Sequence, residues 1–156
     1  MSATGLEVFD RTLQTTHIWL DEISKVIGPD RKLAWRVLSA VLQQLRDRIP
    51  VELAAHLGAQ LPLLVRGTFY DQFTPARQPG NESREEFLEG LRERLEGSRP
   101  VDAQLAARAV MATLSRHLPE GQVRNVRDAL PKDLRALWSE AEAEPPRPPS
   151  EREEQP

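Results

Sequence analysis

The sequence predicts an all-α protein, a single compact helical domain built from two tandem four-helix repeats. Three observations predict it. Sliding the 156-residue chain against itself by 69 positions, without a gap, sets Gly28 on Gly97, Ala34 on Ala103, Pro50 on Pro119 and Pro62 on Pro131. The same register pairs Ala40 with Ala109, Val41 with Val110, Leu45 with Leu114, Leu61 with Leu130 and Arg66 with Arg135, and it brings Phe69 onto Trp138, one aromatic for another. Apolar residues recur in steps of three and four, the spacing of one helix face. Alternating β-branched runs bounded by turn residues, the mark of strands, are absent.

Each element follows from its own signals. Thr4 and Glu7 read as a capping box. From there the seam Phe9, Leu13, Thr16, Leu20, Ile23, Ile27 predicts one long amphipathic helix ending at Gly28-Pro29. Asp30 can cap a second helix whose apolar face is Leu33 or Ala34, Val37, Leu38, Val41, Leu42 and Leu45, stopped by Pro50. Pro50 and Pro62 each suit the first position of a short helix, the first running to about Gln60 and the second to about Phe73. The Pro-, Gly-, Asn- and Gln-rich stretch 74–83 is the linker between repeat one (5–73) and repeat two (84–141). Ser83 and Glu86 form a second capping box, and Phe87, Leu91 and Leu95 seam a shorter first helix closed by Gly97. An Ala-rich helix over 103–118, with Ala106, Val110, Met111 and Leu114 inward, then helices over 122–129 and 132–141, complete the second unit. The helical domain spans 1–143. Residues 144–156, with their Pro-Pro-Arg-Pro-Pro run and acidic end, are expected to be disordered and dispensable for folding. The two long second helices, over 30–48 and 101–118, are expected to pack near the middle, with the units related by a pseudo-twofold or screw.

Composition narrows the function classes. At 156 residues and 39% hydrophobic content the chain supports one core. Without cysteine there are no disulfides, no thiolate chemistry and no Cys-ligated zinc. The N-terminal residues lack the basic and apolar regions of a signal peptide, and no window nears the roughly 18 apolar residues of a membrane span. A soluble cytoplasmic protein with no membrane association is the expectation. The net charge of −3 is concentrated in the tail, where residues 139–156 hold six acids and two bases, so the body is near neutral and lacks the footprint of strong nonspecific nucleic-acid binding.

No catalytic constellation emerges. His17 and Asp21, and Glu52 and His56, are four apart on helices, but neither pair has further converging metal ligands. His117 sits at a helix end, where a basic residue meets the dipole favourably. There is no nucleophile elbow, phosphate-cradling loop or HExxH. No catalytic residue, metal or cofactor is therefore assigned. The two repeats supply an internal control: positions shared by both copies report architecture, and positions that differ may report a task. Leu61-Pro62 with Arg66, echoed by Leu130-Pro131 with Arg135, reads as scaffold, the arginine reaching a carboxylate or helix end. Copy-specific are Arg46-Asp47-Arg48 against Ser115-Arg116-His117, and the segment Arg66 to Phe73 against Arg135 to Trp138. Arginine and aromatic side chains dominate binding hot spots, so Arg46, Arg48, Arg66 and Tyr70 are the candidate binding residues, while Phe69 and Phe73 are expected to pack inward.

The order Phe9-Asp10-Arg11-Thr12-Leu13, Trp19-Leu20, Leu45-Arg46-Asp47-Arg48-Ile49-Pro50, Gln60-Leu61-Pro62, Val65-Arg66-Gly67-Thr68-Phe69-Tyr70, Leu130-Pro131-Lys132-Asp133-Leu134 and Trp138 resembles the bacterial family called Domain of Unknown Function 2267. Thr68-Phe69 and Gln72-Phe73 depart from the Ile or Tyr and the Gly-Trp of many relatives, trimming an aromatic but keeping the pattern. The resemblance implies a small prokaryotic helical protein and brings no catalytic residues. The leading expectation is a non-catalytic interaction module, a cytoplasmic adaptor or regulator that binds another protein or itself. The alternative is a nucleic-acid-binding protein in which the corners at Pro119 and Pro131 mimic a helix-turn-helix, with Arg124, Arg127 and Arg135 near its recognition helix. Glu120 and Asp128 lie among those bases and weigh against it.

Overall fold

A computed structural model describes residues 4–77 and 83–143, and the described residues are helical throughout, with no strand. The helices are α1 (Glu7–Ile27), α2 (Arg31–Arg46), α3 (Val51–Gln60), α4 (Leu63–Tyr70), α5 (Arg84–Arg94), α6 (Ala103–His117), α7 (Glu120–Ala129) and α8 (Lys132–Ala143), with a short 3-10 turn at Pro75–Arg77. The linker residues 78–82 and the acidic tail 144–156, about which the sequence makes specific expectations, lie outside the described residues.

Local chemistry sets the helix ends. Asp30 accepts the N–H of Leu33, Ser83 that of Glu86, and Asp102 those of Gln104 and Leu105, each removing an orphan donor from a first turn. Gly28 and Gly97 follow the first helix of each half at positive φ, 115° and 84°, where a side chain would be strained. Pro50 and Pro62 stand one residue earlier than expected, as N-caps rather than first helical residues, and Pro119 is likewise an N-cap, α7 starting at Glu120 rather than at 122. Their carbonyls accept the first i to i+4 bonds, from Ala54, Arg66 and Val123. The Thr4–Glu7 capping box does not form. Leu6 is the N-cap without a side-chain bond, and Thr4 instead directs both its N–H and its hydroxyl to Asp10, at 3.1 and 2.9 Å.

Packing is organised around α2 and α6, which lie against each other. α2 also touches α1, α4 and α5, so nearly its whole circumference is covered and even Gln44 and Arg46 are buried. α6 touches α1, α5, α7 and α8. Exchanging α1 with α5, α2 with α6, α3 with α7 and α4 with α8 turns this contact pattern into itself, the α6–α7 contact aside. Buried side chains of all eight helices form one continuous core, from Trp19 and Leu20 through Phe69 and Phe87 to Trp138. The seams read from the sequence point inward along α2, α5 and α6. On α1 the buried line is Thr16, Trp19, Leu20, Ile23 and Val26. Phe9 and Leu13, expected in that seam, are instead exposed, so the buried line begins only at Thr16.

Candidate functional site

The four residues singled out from the sequence gather around the end of α2 and the two ends of α4, and the structure commits most of their chemistry inward. Arg46 is 2% exposed. Its guanidinium donates to Asp47 Oδ1 at 2.9 Å and to the carbonyls of Phe69 and Asp71 at 2.9 and 2.8 Å, and it lies over the Phe73 ring. It is thus a brace that ties the chain leaving α4 to the end of α2. Arg66 donates to the carbonyls of Gly58, Ala59 and Leu61, satisfying orphan acceptors at the C-terminus of α3. Arg135 donates in the same way to Leu130. Arg48 is half-buried, donating to the Gln44 carbonyl and lying over the Phe87 ring at 5.3 Å. Tyr70 is the exposed member at 37%, its ring laid across Gly58, where a Cβ would collide with it. Phe69 is fully buried, as expected.

Behind Arg46 lies a network that the sequence reading did not foresee. Arg94 of α5 spreads its guanidinium over Gln44 Oε1 and Gln43 Oε1 at 2.8 Å and Asp47 Oδ2 at 3.0 Å. Gln44 donates in turn to the Phe87 carbonyl, and its amide sits on Gly90, where a methyl would overlap it. Burial lowers the pKa of Arg94, opposed by the adjacent Asp47 carboxylate and reinforced by repulsion from Arg46 and Arg48. The one local signal was Gly90 inside a helix, a position that costs stability unless something must come close. A second unforeseen cluster joins α6 to α1. His117 stacks on Trp19 with centroids 5.4 Å apart and places Nε2 2.7 Å from Glu22 Oε1, while Arg116 reaches Glu22 Oε2 at 3.3 Å.

What remains open to a partner lies elsewhere. Phe9 and Leu13 of α1 and Leu63 and Leu64 of α4 are exposed by 49, 37, 50 and 41%. The two helices meet close by, the Leu64 N–H donating to Thr12 Oγ1 at 3.1 Å, so both helices carry exposed apolar residues at that edge, and Leu6 and Val8 are exposed at the start of α1. Glu7 and Arg11 on the same turns of α1 pair at 2.6 Å, and Asp10, next to Phe9, accepts from Thr4. The arginines of the helix-turn-helix alternative are engaged: Arg124 pairs with Glu120 and Arg127 with Glu142, besides the capping role of Arg135. Among the described residues no cluster of three or more His, Asp or Glu side chains could hold a metal, and no helix is long and apolar enough to cross a membrane.

The chain belongs to the family described as uncharacterized conserved protein (DUF2267), whose profile matches residues 16–137. No curated protein matches the chain. The matched span takes in Leu63 and Leu64 but begins after Phe9 and Leu13.

Proposed function

We propose that this member of the DUF2267 family is a non-catalytic protein-interaction module, a duplicated pair of four-helix units acting in the cytoplasm as an adaptor or regulator. Its contact surface is the apolar edge of α1 and α4. The observation that carries the reading is the uncovered start of the α1 seam: Phe9 and Leu13 continue the line of core residues yet are exposed, on the part of α1 that meets α4, whose Leu63 and Leu64 are exposed as well. Leaving several large apolar side chains together in water is costly, and contiguous patches of this kind mark interaction sites. Tyr70, at the other end of α4, keeps an exposed edge and remains a candidate contact. Arg46 and Arg66 act as architecture instead, because their donors already serve carbonyls of this chain.

Site-specific photocrosslinking tests the reading. A benzoylphenylalanine replacing Phe9 should give discrete protein adducts in cells, whereas the same group at Val51, an exposed apolar residue on α3, should give few. Equal or absent labelling from the two positions would remove the surface. The nucleic-acid alternative is checked by electrophoretic shift on mixed DNA at low salt, where tight binding with a steep salt dependence would replace the present reading.

A further inference from the structure

We infer that the groove between α5 and α6 is a binding site for a small zwitterion of the free α-amino acid class. The groove holds about 340 Å³, the lower end of the range of small-molecule sites. Its α5 wall carries Glu85, Leu88 and Arg92, spaced by three and four so that they share one helix face, and its α6 wall carries the N-cap Asp102 with Gln104 and Arg108. The half built of α1 to α4 treats the equivalent positions differently. The 69-residue register sets Asp102 on Leu33 and Gln104 on Trp35, and Leu33 and Trp35 both pack with the core. One half therefore fills these positions with apolar bulk, and the other lines an open space with polar groups.

What these side chains leave unused selects the ligand. Both side-chain bonds of Arg92 come from Nη1, to Glu85 Oε1 at 3.2 Å and to Glu89 Oε2 at 3.0 Å. Among the described residues its Nε and Nη2 have no acceptor, and together they keep the fork that grips a carboxylate. Asp102 uses Oδ1 for the N–H groups of Gln104 and Leu105, and neither its Oδ2 nor Glu85 Oε2 has a donor among the described residues. A guanidinium fork and two carboxylate oxygens thus belong to one groove. A phosphate or other plain anion would meet the Glu85 and Asp102 carboxylates, and a plain cation would meet Arg92 and Arg108. A molecule that carries an ammonium and a carboxylate on one carbon satisfies both signs. The Arg92–Glu85 pair is open to water, with side-chain exposures of 48 and 77%, so a ligand carboxylate competes there easily but binds weakly.

The test titrates the full chain with the protein amino acids, taken singly up to about 10 mM, and follows backbone amide shifts by NMR. At least one should bind with a Kd on the order of 0.1 to 1 mM and shift the amides of the α5 and α6 walls. Its N-acetyl and carboxamide derivatives, each lacking one charge, should bind at least about tenfold more weakly. Arg92→Gln and Glu85→Gln should each weaken binding by about tenfold as well. Gln104→Trp, which gives α6 the residue that α2 carries as Trp35, should abolish it. Circular dichroism checks that each variant folds, and Asp102→Asn, which keeps an N-capping oxygen, replaces Gln104→Trp if that variant does not. A chain that binds no amino acid in this range overturns the site. So does binding that shifts only amides away from the groove, or that Arg92→Gln leaves unchanged. Acetate or methylamine bound as tightly as the amino acid overturns the zwitterion as its ligand.

Discussion

The end of α2 on α5 and the end of α6 on α1 are the same junction built twice with the signs reversed. Positions 48 and 117, 69 residues apart, each lay a flat basic side chain on an aromatic ring of the opposite half, Arg48 on Phe87 and His117 on Trp19. Beside them, Asp47 supplies the acid for Arg94 of α5, whereas Arg116 and His117 supply the bases for Glu22 of α1. One residue earlier the pattern holds again. Arg46 donates to the Phe69 carbonyl, and its counterpart Ser115 accepts the indole N–H of Trp138, the counterpart of Phe69. Helix geometry fixes which positions meet, and chemistry at those positions is free to diverge.

The reversal has a physical use. In a fold whose halves exchange contacts, α1 and α5 compete for equivalent seats. Were α1 to take the place of α5 at the end of α2, Glu22 would face Asp47, and were α5 to take the place of α1 at the end of α6, Arg94 would face Arg116, each a like-charge contact. The opposite signs select the observed arrangement over its mirror assignment. Residues that differ between the halves can therefore be solutions to one packing problem, with no ligand involved.

Removing Arg46 should have the largest effect. Arg46→Ala strips two carbonyls and one Asp47 oxygen of their donor in a buried place, and should cost about 3 to 5 kcal/mol in urea unfolding. Ser115→Ala, the same operation on the other junction, leaves only the Trp138 indole unpaired and should cost about 1 to 2 kcal/mol. Equal losses would show that the two corners are energetically alike and that the charge adds nothing. Next comes Gly90→Ala. Its methyl would displace the Gln44 amide from the Phe87 carbonyl and from Arg94, for a loss of about 1 to 3 kcal/mol despite the better helix propensity of alanine. Gain of stability in that variant would mean that the network can give way.

Much of this architecture was legible, and what was not has particular reasons. Helix boundaries follow from caps, prolines and the 69-residue register, which sets α3 on α7 residue for residue. The seams of α2, α5 and α6 follow from periodicity. Periodicity tells which side of a helix is apolar but not how far its neighbours extend, so Phe9 and Leu13 were read as covered. Arg46, in a last turn and specific to one copy, reads as a contact for a partner. Its real partners are carbonyls 23 and 25 residues away, and backbone acceptors leave no trace in side-chain sequence. For Arg66 the partner lay within eight residues, and the helix-end role was readable.

The smallest expected effect tests the comparison at its centre. Asp30 and Arg99 are themselves 69 residues apart and pair at 3.3 Å, so a position and its own counterpart meet. Like charges there would repel, and the two residues are of opposite sign. Asp30 also caps α2, and its pKa is lowered chiefly by the Leu33 N–H, with burial opposing and Arg99 adding to the shift. A depressed carboxyl contributes stability that is complete above its unfolded pKa and lost as pH falls through the folded one. Asp30→Asn keeps an N-capping oxygen but loses the charge. The variant should therefore melt slightly below the parent protein at pH 7, and the gap should narrow as pH falls below the ordinary value of 3.8 and close once it has passed the lowered pKa of the folded carboxyl, where the parent is neutral as well. Added salt should shrink it at pH 7, since Arg99 is largely exposed. A gap undiminished both by acid and by salt would assign the effect to capping geometry and leave the meeting of counterpart positions without electrostatic weight.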